Sequence, residues 1–418
     1  MRPSAAPPTT PPRPTKVSRL RNYLDKVKPA FEPGGKYQAL QSVFDGLETF
    51  LYTPRTTSER RYTTHIHDSI DSKRTMTIVI LALMPCFVFG MYNIGYQHWL
   101  AAGVEGPYPF FSLLLYGFLT VLPRLAVAYI TGLGIEFIVA QKRHEEIQEG
   151  FLVTGILIPM ICPPEIPLWM LAAATAFAVI FAKEVFGGTG YNIFNVALVT
   201  RAFLFFAYPA HMSGDKVFVA AGQPFGFGPA VADGFTCATP LGQLSQGITD
   251  ITGTGGHAIS AADAFIGLMP GCMGETSTLL IIIGGILLTA AGIASWRVML
   301  TVFAGALAAG FVANAFPSPA YPLAAVAPWE QLLYGGLAFA AVFMATDPVT
   351  SARTAKGKYI YGFLTGAIAV IIRTYNNGYP EGAMLAVLLM NCFAPLIDWC
   401  VVEANVRRRM ARMVRSQK

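Results

Sequence analysis

The sequence predicts an all-α polytopic membrane protein of about ten transmembrane helices behind a short soluble extension. Three observations predict it. The chain of 418 residues is 54% hydrophobic and only 13% charged, whereas soluble domains carry roughly 25% charged residues. Its apolar residues fall in runs long enough to cross a bilayer. The loops between those runs alternate in basic content. The net charge of +6 concentrates at the two ends of the chain. A basic end flanking apolar spans reads as membrane topology, which excludes nucleic acid as a natural partner and makes lipid the expected one.

Taken in order, residues 1–75 form the extension, Pro/Thr-rich at first and without an apolar signal-peptide core. Leu20–Lys28 and Tyr37–Tyr52 are amphipathic enough for short helices. The apolar runs then lie near 76–96, 110–140, 151–162, 166–182, 192–208, 276–294, 298–315, 329–346, 359–374 and 382–402. Together they define a transmembrane domain over 76–402, which encloses a long polar loop over 209–275. A basic tail follows at 403–418. Several runs are short. One stops at Pro163-Pro164, and another begins after Gly187-Gly188-Thr189-Gly190. Gly- and Pro-interrupted segments of this kind predict broken helices lining a site.

Loop charge fixes the expected orientation. Residues 97–108, 163–165, 316–328 and 374–381 carry no Lys or Arg, and 209–262 carries only Lys216. The extension, Gln141-Lys142-Arg143, Lys183, Arg297, Arg353 with Lys356 and Lys358, and Arg407-Arg408-Arg409 are basic. Ten spans with both ends cytoplasmic satisfy every loop. Ten divides into five plus five, and an odd number per half requires an inverted repeat if the halves are related. Phe186–Asn195 and Met344–Arg353 are interrupted Gly/Thr-containing stretches that fit such a pairing.

No iron–sulfur spacing, Walker A motif or GxGxxG occurs in the sequence, so no cluster or nucleotide-binding fold is expected within it. The six cysteines form no CxxC pair and read as buried small hydrophobes. His65 and His67 lack further ligands nearby, and no metal site is expected. Acidic residues at membrane depth are costly and tend to be functional. Glu184, Asp347, Glu381 and Asp398 are therefore candidates for an ion path, since carboxylates and carbonyls suit a hard cation. Their structural alternatives are pairing with Arg201 or Arg373, or a place at a helix N-terminus. Glu149-Gly150 opens the third run, and its glycine leaves room for a flat ring. Asn192 and Asn195 can hydrogen-bond a ring edge; as caps of the fifth run they have an equally direct role, and the cap is the favoured reading. In the 209–275 loop, Asp233-Gly-Phe-Thr236-Cys237-Ala238-Thr239 is small and polar, an ordinary loop or a place where a hydroxyl is open to modification.

That last stretch resembles the flavin-transferase motif Asp-x-x-Ser/Thr-Gly-Ala-Thr, with Asp233, Thr236, Ala238 and Thr239 in place and Cys237 where glycine is usual. The likeness runs along nearly the whole chain. It includes Glu149-Gly-Phe-Leu-Val-Thr154, Lys183-Glu-Val-Phe-Gly-Gly-Thr-Gly190, Arg201–Pro209, Gly274-Glu-Thr-Ser-Thr-Leu279, Phe343-Met-Ala-Thr-Asp-Pro-Val349 and Tyr379-Pro-Glu-Gly382. On these residues the sequence resembles the NqrB/RnfD family, in its Na+-translocating NADH:quinone reductase branch. Val196 departs from the proline expected after Asn195.

The resemblance implies a covalent FMN on the Thr239 hydroxyl, a non-covalent riboflavin, and ubiquinone as substrate near Glu149 and Gly150, with Na+ transported. It also implies partners: a protein with the NADH site, FAD and an iron–sulfur centre, a second covalent-FMN protein, small membrane proteins of the same complex and the flavin transferase. Two other readings stay open. One is the RnfD component of an Rnf-type complex; the other is a channel or transporter without redox chemistry, which the inverted repeat resembles by fold analogy.

Overall fold

The computed structural model describes residues 19–31, 35, 41, 44, 72–104, 108–143, 150–212, 217–232, 235–376 and 378–416. Among them there is no strand, only the isolated bridges Thr252–Ala258 and Ser318–Tyr321. The chain divides into two compact units. The first comprises Met1–Ile66 with Phe137–Gln148; the second comprises His67–Glu136 and Glu149–Lys418. In the first, Arg19–Val27 forms helix α1, which matches the expected Leu20–Lys28 helix, and Phe31 stacks on Phe44 with ring centroids 4.7 Å apart. Of the expected Tyr37–Tyr52 helix, only Gln41 and Phe44 lie within the described residues, and both are helical.

The second unit holds the remaining helices, except that the last turns of α3 (Phe137–Arg143) fall in the first: α2 (Ser72–Ala101), α3 (Phe110–Arg143), α4 (Gly150–Ile161), α5 (Leu168–Ala178), α6 (Val196–Ala207), the short loop helices α7 (Pro240–Ser245) and α8 (Ala261–Ile266), α9 (Thr278–Ala290), α10 (Trp296–Ala315), α11 (Leu337–Phe339), α12 (Ala355–Tyr375) and α13 (Ala383–Ser416). Each of the ten apolar runs contains helix, but six are long and apolar enough to cross a membrane unaided: α2, α3, α5 with its extension to Phe186, α10, α12 and α13. Helices α4, α6 and α9 run 12–13 residues, too short for a bilayer at 1.5 Å per residue. The run around 329–346 is shorter still, with α11 continuing as a π turn over Ala340–Met344. A second π turn, Val179–Lys183, continues α5.

Large apolar side chains cover the outside of these helices. Phe111 on α3, Ile130 on α3, Phe206 on α6 and Phe311 on α10 are all more than half exposed. A protein in water would not leave so many apolar groups open, so this surface suits lipid. Inside, helices approach closely where glycines face a neighbouring backbone. A Cβ on Gly305 of α10 would run into the Phe363 carbonyl oxygen of α12, and one on Gly366 of α12 would run into that of Val302 on α10. Four of the six cysteines are buried as expected. Cys392 and Cys400 are exposed instead, because both lie on outward faces of α13.

The loop between α6 and α9 is folded. Leu241, Leu244, Ile251, Ala264 and Met269 pack with Leu323 and Tyr334 into a small core of their own. His98, at the end of α2, ties this loop down. Its Nδ1 lies 2.7 Å from the Ala220 carbonyl and its Nε2 3.0 Å from that of Pro229. The ring stacks on Tyr116 at 3.9 Å.

Candidate functional site

Two cavities gather most of the residues that the sequence singles out. The first is built around Thr239. This residue is the N-cap of α7: its backbone is extended (φ −64°, ψ 156°), its Oγ1 accepts from Gly242 N at 3.2 Å, and Pro240 takes the first helical place, where no N–H is needed. Gln243 braces the approach by donating to the Ala238 carbonyl at 3.0 Å while its Oε1 accepts from Thr252 N at 2.9 Å. Thr236 is exposed and Thr239 half-buried. Asp233 lies outside the described residues. Cys237 is buried, and its sulfur accepts from the Thr254 hydroxyl at 3.6 Å. Its side chain therefore turns inward, and the cysteine fits where the motif usually carries glycine.

Thr239 lines a cavity of about 30 Å3 together with Cys272, Glu275, Thr276, Gly335 and Glu381. Thr276 is 1% exposed, and its hydroxyl meets no hydrogen-bond partner among the described residues. Arg201, on α6, holds both acids of this cavity: its Nη1 pairs with Glu275 and its Nη2 with Glu381. On the far side of this triad a second void, of about 10 Å3, is lined by Ile161, Leu198, Arg201, Glu275, Met344 and Glu381. Arg373 of α12 lies alongside. It donates from Nη1 to the Gln331 carbonyl and from Nη2 to the Glu381 carbonyl at 3.5 Å. Pairing with Arg201 was one of the structural alternatives for Glu381. Glu275 was missed as a site residue. It stands in the Gly274–Leu279 stretch, and its one signal in sequence is an acid directly ahead of an apolar run.

The larger cavity, about 130 Å3, is lined by Gly150, Thr154, Lys183, Thr189, Asn192, Asn195, Val196, Phe343 and Asp347 among others. It brings together Gly150, expected near the quinone, Asn192 and Asn195, expected at a ring edge or as caps, and Asp347, one of the four acids expected on the ion path. The starts of α4 and α6 both face it, so two positive helix ends converge there. Asn195 caps α6, its Oδ1 accepting from Ala197 N at 3.1 Å and Leu198 N at 3.3 Å. That cap holds the helix start, where Val196 replaces the expected proline. Asn192 donates to the Phe194 carbonyl at 3.0 Å. Asp347 accepts from Val349 N at 3.0 Å and the Thr350 hydroxyl at 3.1 Å, closing the break after the Ala340–Met344 π turn. A Cβ on Gly150 would lie 2.6 Å from the Thr189 methyl, so this glycine serves the packing of the cavity wall. Lys183 ends the Val179–Lys183 π turn and forms a buried ion pair with Glu136 of α3.

The remaining acids stand apart. Glu184 is buried beside Lys183, at the start of a 3-10 turn. Asp398 bridges α13 to the start of α12, accepting from Arg353 N at 2.6 Å, Thr354 N at 2.9 Å and the Thr354 hydroxyl at 2.6 Å. This is the helix N-terminal arrangement weighed as an alternative to an ion-path role. Glu149 lies outside the described residues. In the loop, the Ser260 hydroxyl and backbone N–H bond Asp263 at the start of α8, which holds its carboxyl below the usual value.

A family profile described as "NQR2, RnfD, RnfE family" matches residues 60–407. Relatives named as the B component of the Na(+)-translocating NADH-quinone reductase are similar along nearly their whole length. The protein of Pseudomonas paraeruginosa is 43% identical over 414 residues, covering 94% of this chain and 99% of its own. That of Ectopseudomonas mendocina is 43% identical over 417 residues, covering 94% and 100%. That of Haemophilus influenzae is 42% identical over 425 residues, covering 94% and 99%. With these matches spanning the helices and both cavities, the chain belongs to the NQR2, RnfD, RnfE family.

Proposed function

We propose that this chain is the electron-carrying membrane component of a Na+-translocating NADH:quinone reductase. In this reading Thr239 bears FMN through a phosphoester. A riboflavin lies beside Asn192 and Asn195, and ubiquinone is reduced near Glu149 and Gly150. The names of the relatives support the complex. The observation that carries the flavin is the setting of Thr239: the last residue of the Asp233–Thr239 motif, half-buried at a helix cap, on a cavity lined by the buried Glu275 and the half-buried Glu381. The residues present fit such a group. The Thr239 oxygen spends one lone pair on Gly242 N, and the Thr276 hydroxyl in the same cavity has no partner among the described residues.

Flavins at these places would supply the one- and two-electron chemistry that the side chains lack. The chain would supply position and charge. The α7 cap fixes the attachment oxygen, and the Gln243 brace keeps the loop from sliding. The asparagine amides offer donors beside the larger cavity. Asp347, Glu184, Glu381 and Asp398 remain the ion-path candidates, of which Asp347 alone lines the larger cavity. Residues 1–75 are assigned as a cytoplasmic extension, 76–402 as the flavin-binding membrane domain and 403–418 as a basic tail, with both termini cytoplasmic in a bacterial inner membrane. NADH, FAD and the iron–sulfur centre belong to a partner protein. A second covalent-FMN protein and small membrane proteins complete the complex, and a flavin transferase loads Thr239.

The test is direct. The denatured chain, purified from cells that express the transferase, is expected to fluoresce as a flavoprotein at its own mass, and Thr239→Ala is expected to abolish the signal. A dark wild-type band overturns the flavin reading and favours a channel without redox chemistry. The family also covers the RnfD component of Rnf complexes. NADH-driven quinone reduction by the purified complex distinguishes the reductase from that alternative.

A further inference from the structure

We propose that the Arg201–Glu275–Glu381 triad sets the reduction potential of the flavin on Thr239; the inference rests on the flavin reading above. Three observations lead to it. Thr239, Glu275 and Glu381 line one cavity, which sets the attachment residue beside both acids. Two members of the triad are buried and the third is half-buried: the Arg201 side chain is 5% exposed, Glu275 7% and Glu381 22%. Charges in such surroundings are weakly screened. The Thr276 hydroxyl, on the same cavity and 1% exposed, is unpartnered among the described residues.

The charge count supplies the mechanism. One guanidinium holds two carboxylates, and Arg373, the second cation, reaches the backbone carbonyl of Glu381. The four groups come from four places in the chain: α6, the approach to α9, the end of α12 and the approach to α13. Together they balance, and removing any one leaves a net charge beside Thr239. Buried ion networks add little stability over well-packed apolar residues, so stability alone is a weak reason for this one. An added electron makes the flavin more negative whenever no proton follows it. A more positive neighbourhood then favours reduction, and a more negative one opposes it.

The experiment is a redox titration of the covalent flavin in the intact purified complex, with in-gel fluorescence confirming that each variant is loaded. Arg201→Gln is expected to lower the potential, and Glu275→Gln to raise it. Each should change the reduced-to-oxidised ratio at fixed potential by about tenfold. The double variant Arg201→Gln/Glu275→Gln should return toward the wild type. General damage to packing would move both single variants the same way. If Arg201→Gln fails to assemble, Arg201→Lys should stay near the wild type and Glu381→Gln should raise the potential. Loaded variants with unchanged potentials, or with shifts of the same sign, overturn the inference. A dark wild-type band overturns the flavin reading itself and the inference with it.

Discussion

The two cavities are both built where helices break, yet they are finished differently. Around Asp347, the uncharged caps and Asp347 spend their hydrogen bonds locally, Asn195 on Ala197 and Leu198 and Asp347 on Val349 and Thr350, while Lys183 reaches out, to Glu136 of α3. Around Thr239, Arg201 spends its bonds on residues 74 and 180 positions away in sequence. The first kind of bond shapes a turn. The second joins distant elements, and its loss leaves ionised groups in a dry interior.

The sharpest way to break this contrast is Arg201→Met. It strands Glu275 and Glu381, and should cost about 3–5 kcal/mol, read as a large drop in the thermal unfolding midpoint of the detergent-solubilised complex. Next is Asp398→Asn, which weakens a carboxylate serving three donors across α12 and α13 and should cost about 1–3 kcal/mol. Its Na+ activation should stay intact if the bridge is structural; a lowered Na+ dependence would return Asp398 to the ion path. Asn195→Ala removes only a cap and should cost about 1 kcal/mol. A loss near the Arg201→Met value would show that the two cavities do not differ as described.

The smallest effect lies at α8. The Asp263 carboxyl titrates below its ordinary value because the Ser260 groups bond its charged form. A lowered folded value means that the capping contribution is complete above the unfolded value and is lost as pH falls through the folded one. Amide exchange in Ala261–Ile266, corrected for intrinsic rates, should therefore show protection falling on acidification. Asp263→Asn should lack that dependence.

Much of this was legible in the sequence, because spans, breaks and loop charge are local properties. Pro163-Pro164 marks the end of α4, and the Gly187–Gly190 stretch precedes the α6 cap. The motif ending at Thr239 marks one cavity. Gly150, Asn192, Asn195 and Asp347 could each be named, but nothing local says that they share a cavity. The Arg201 triad was only half visible: Glu381 was a candidate with Arg201 as a named alternative partner, while Glu275 stood inside the Gly274–Leu279 stretch with nothing local to set it apart as a partner of Arg201. The π turns at Val179–Lys183 and Ala340–Met344 leave no trace in the hydropathy pattern, since they alter only where the backbone bonds fall. His98, between the carbonyls of Ala220 and Pro229, depends on contacts more than 120 residues away.

The glycine contacts between α10 and α12 bear on how the chain can move. With Gly305 against the Phe363 carbonyl and Gly366 against that of Val302, neither helix can slide or roll without backbone striking backbone. Any transition during turnover should carry this pair as one rigid body. The displacement must then be taken up at its ends, where α12 begins at the Asp398 bridge and gives way beyond Tyr375 to the short connection into α13. A spin-label pair across α10 and α12 should accordingly keep one distance in every state of the enzyme.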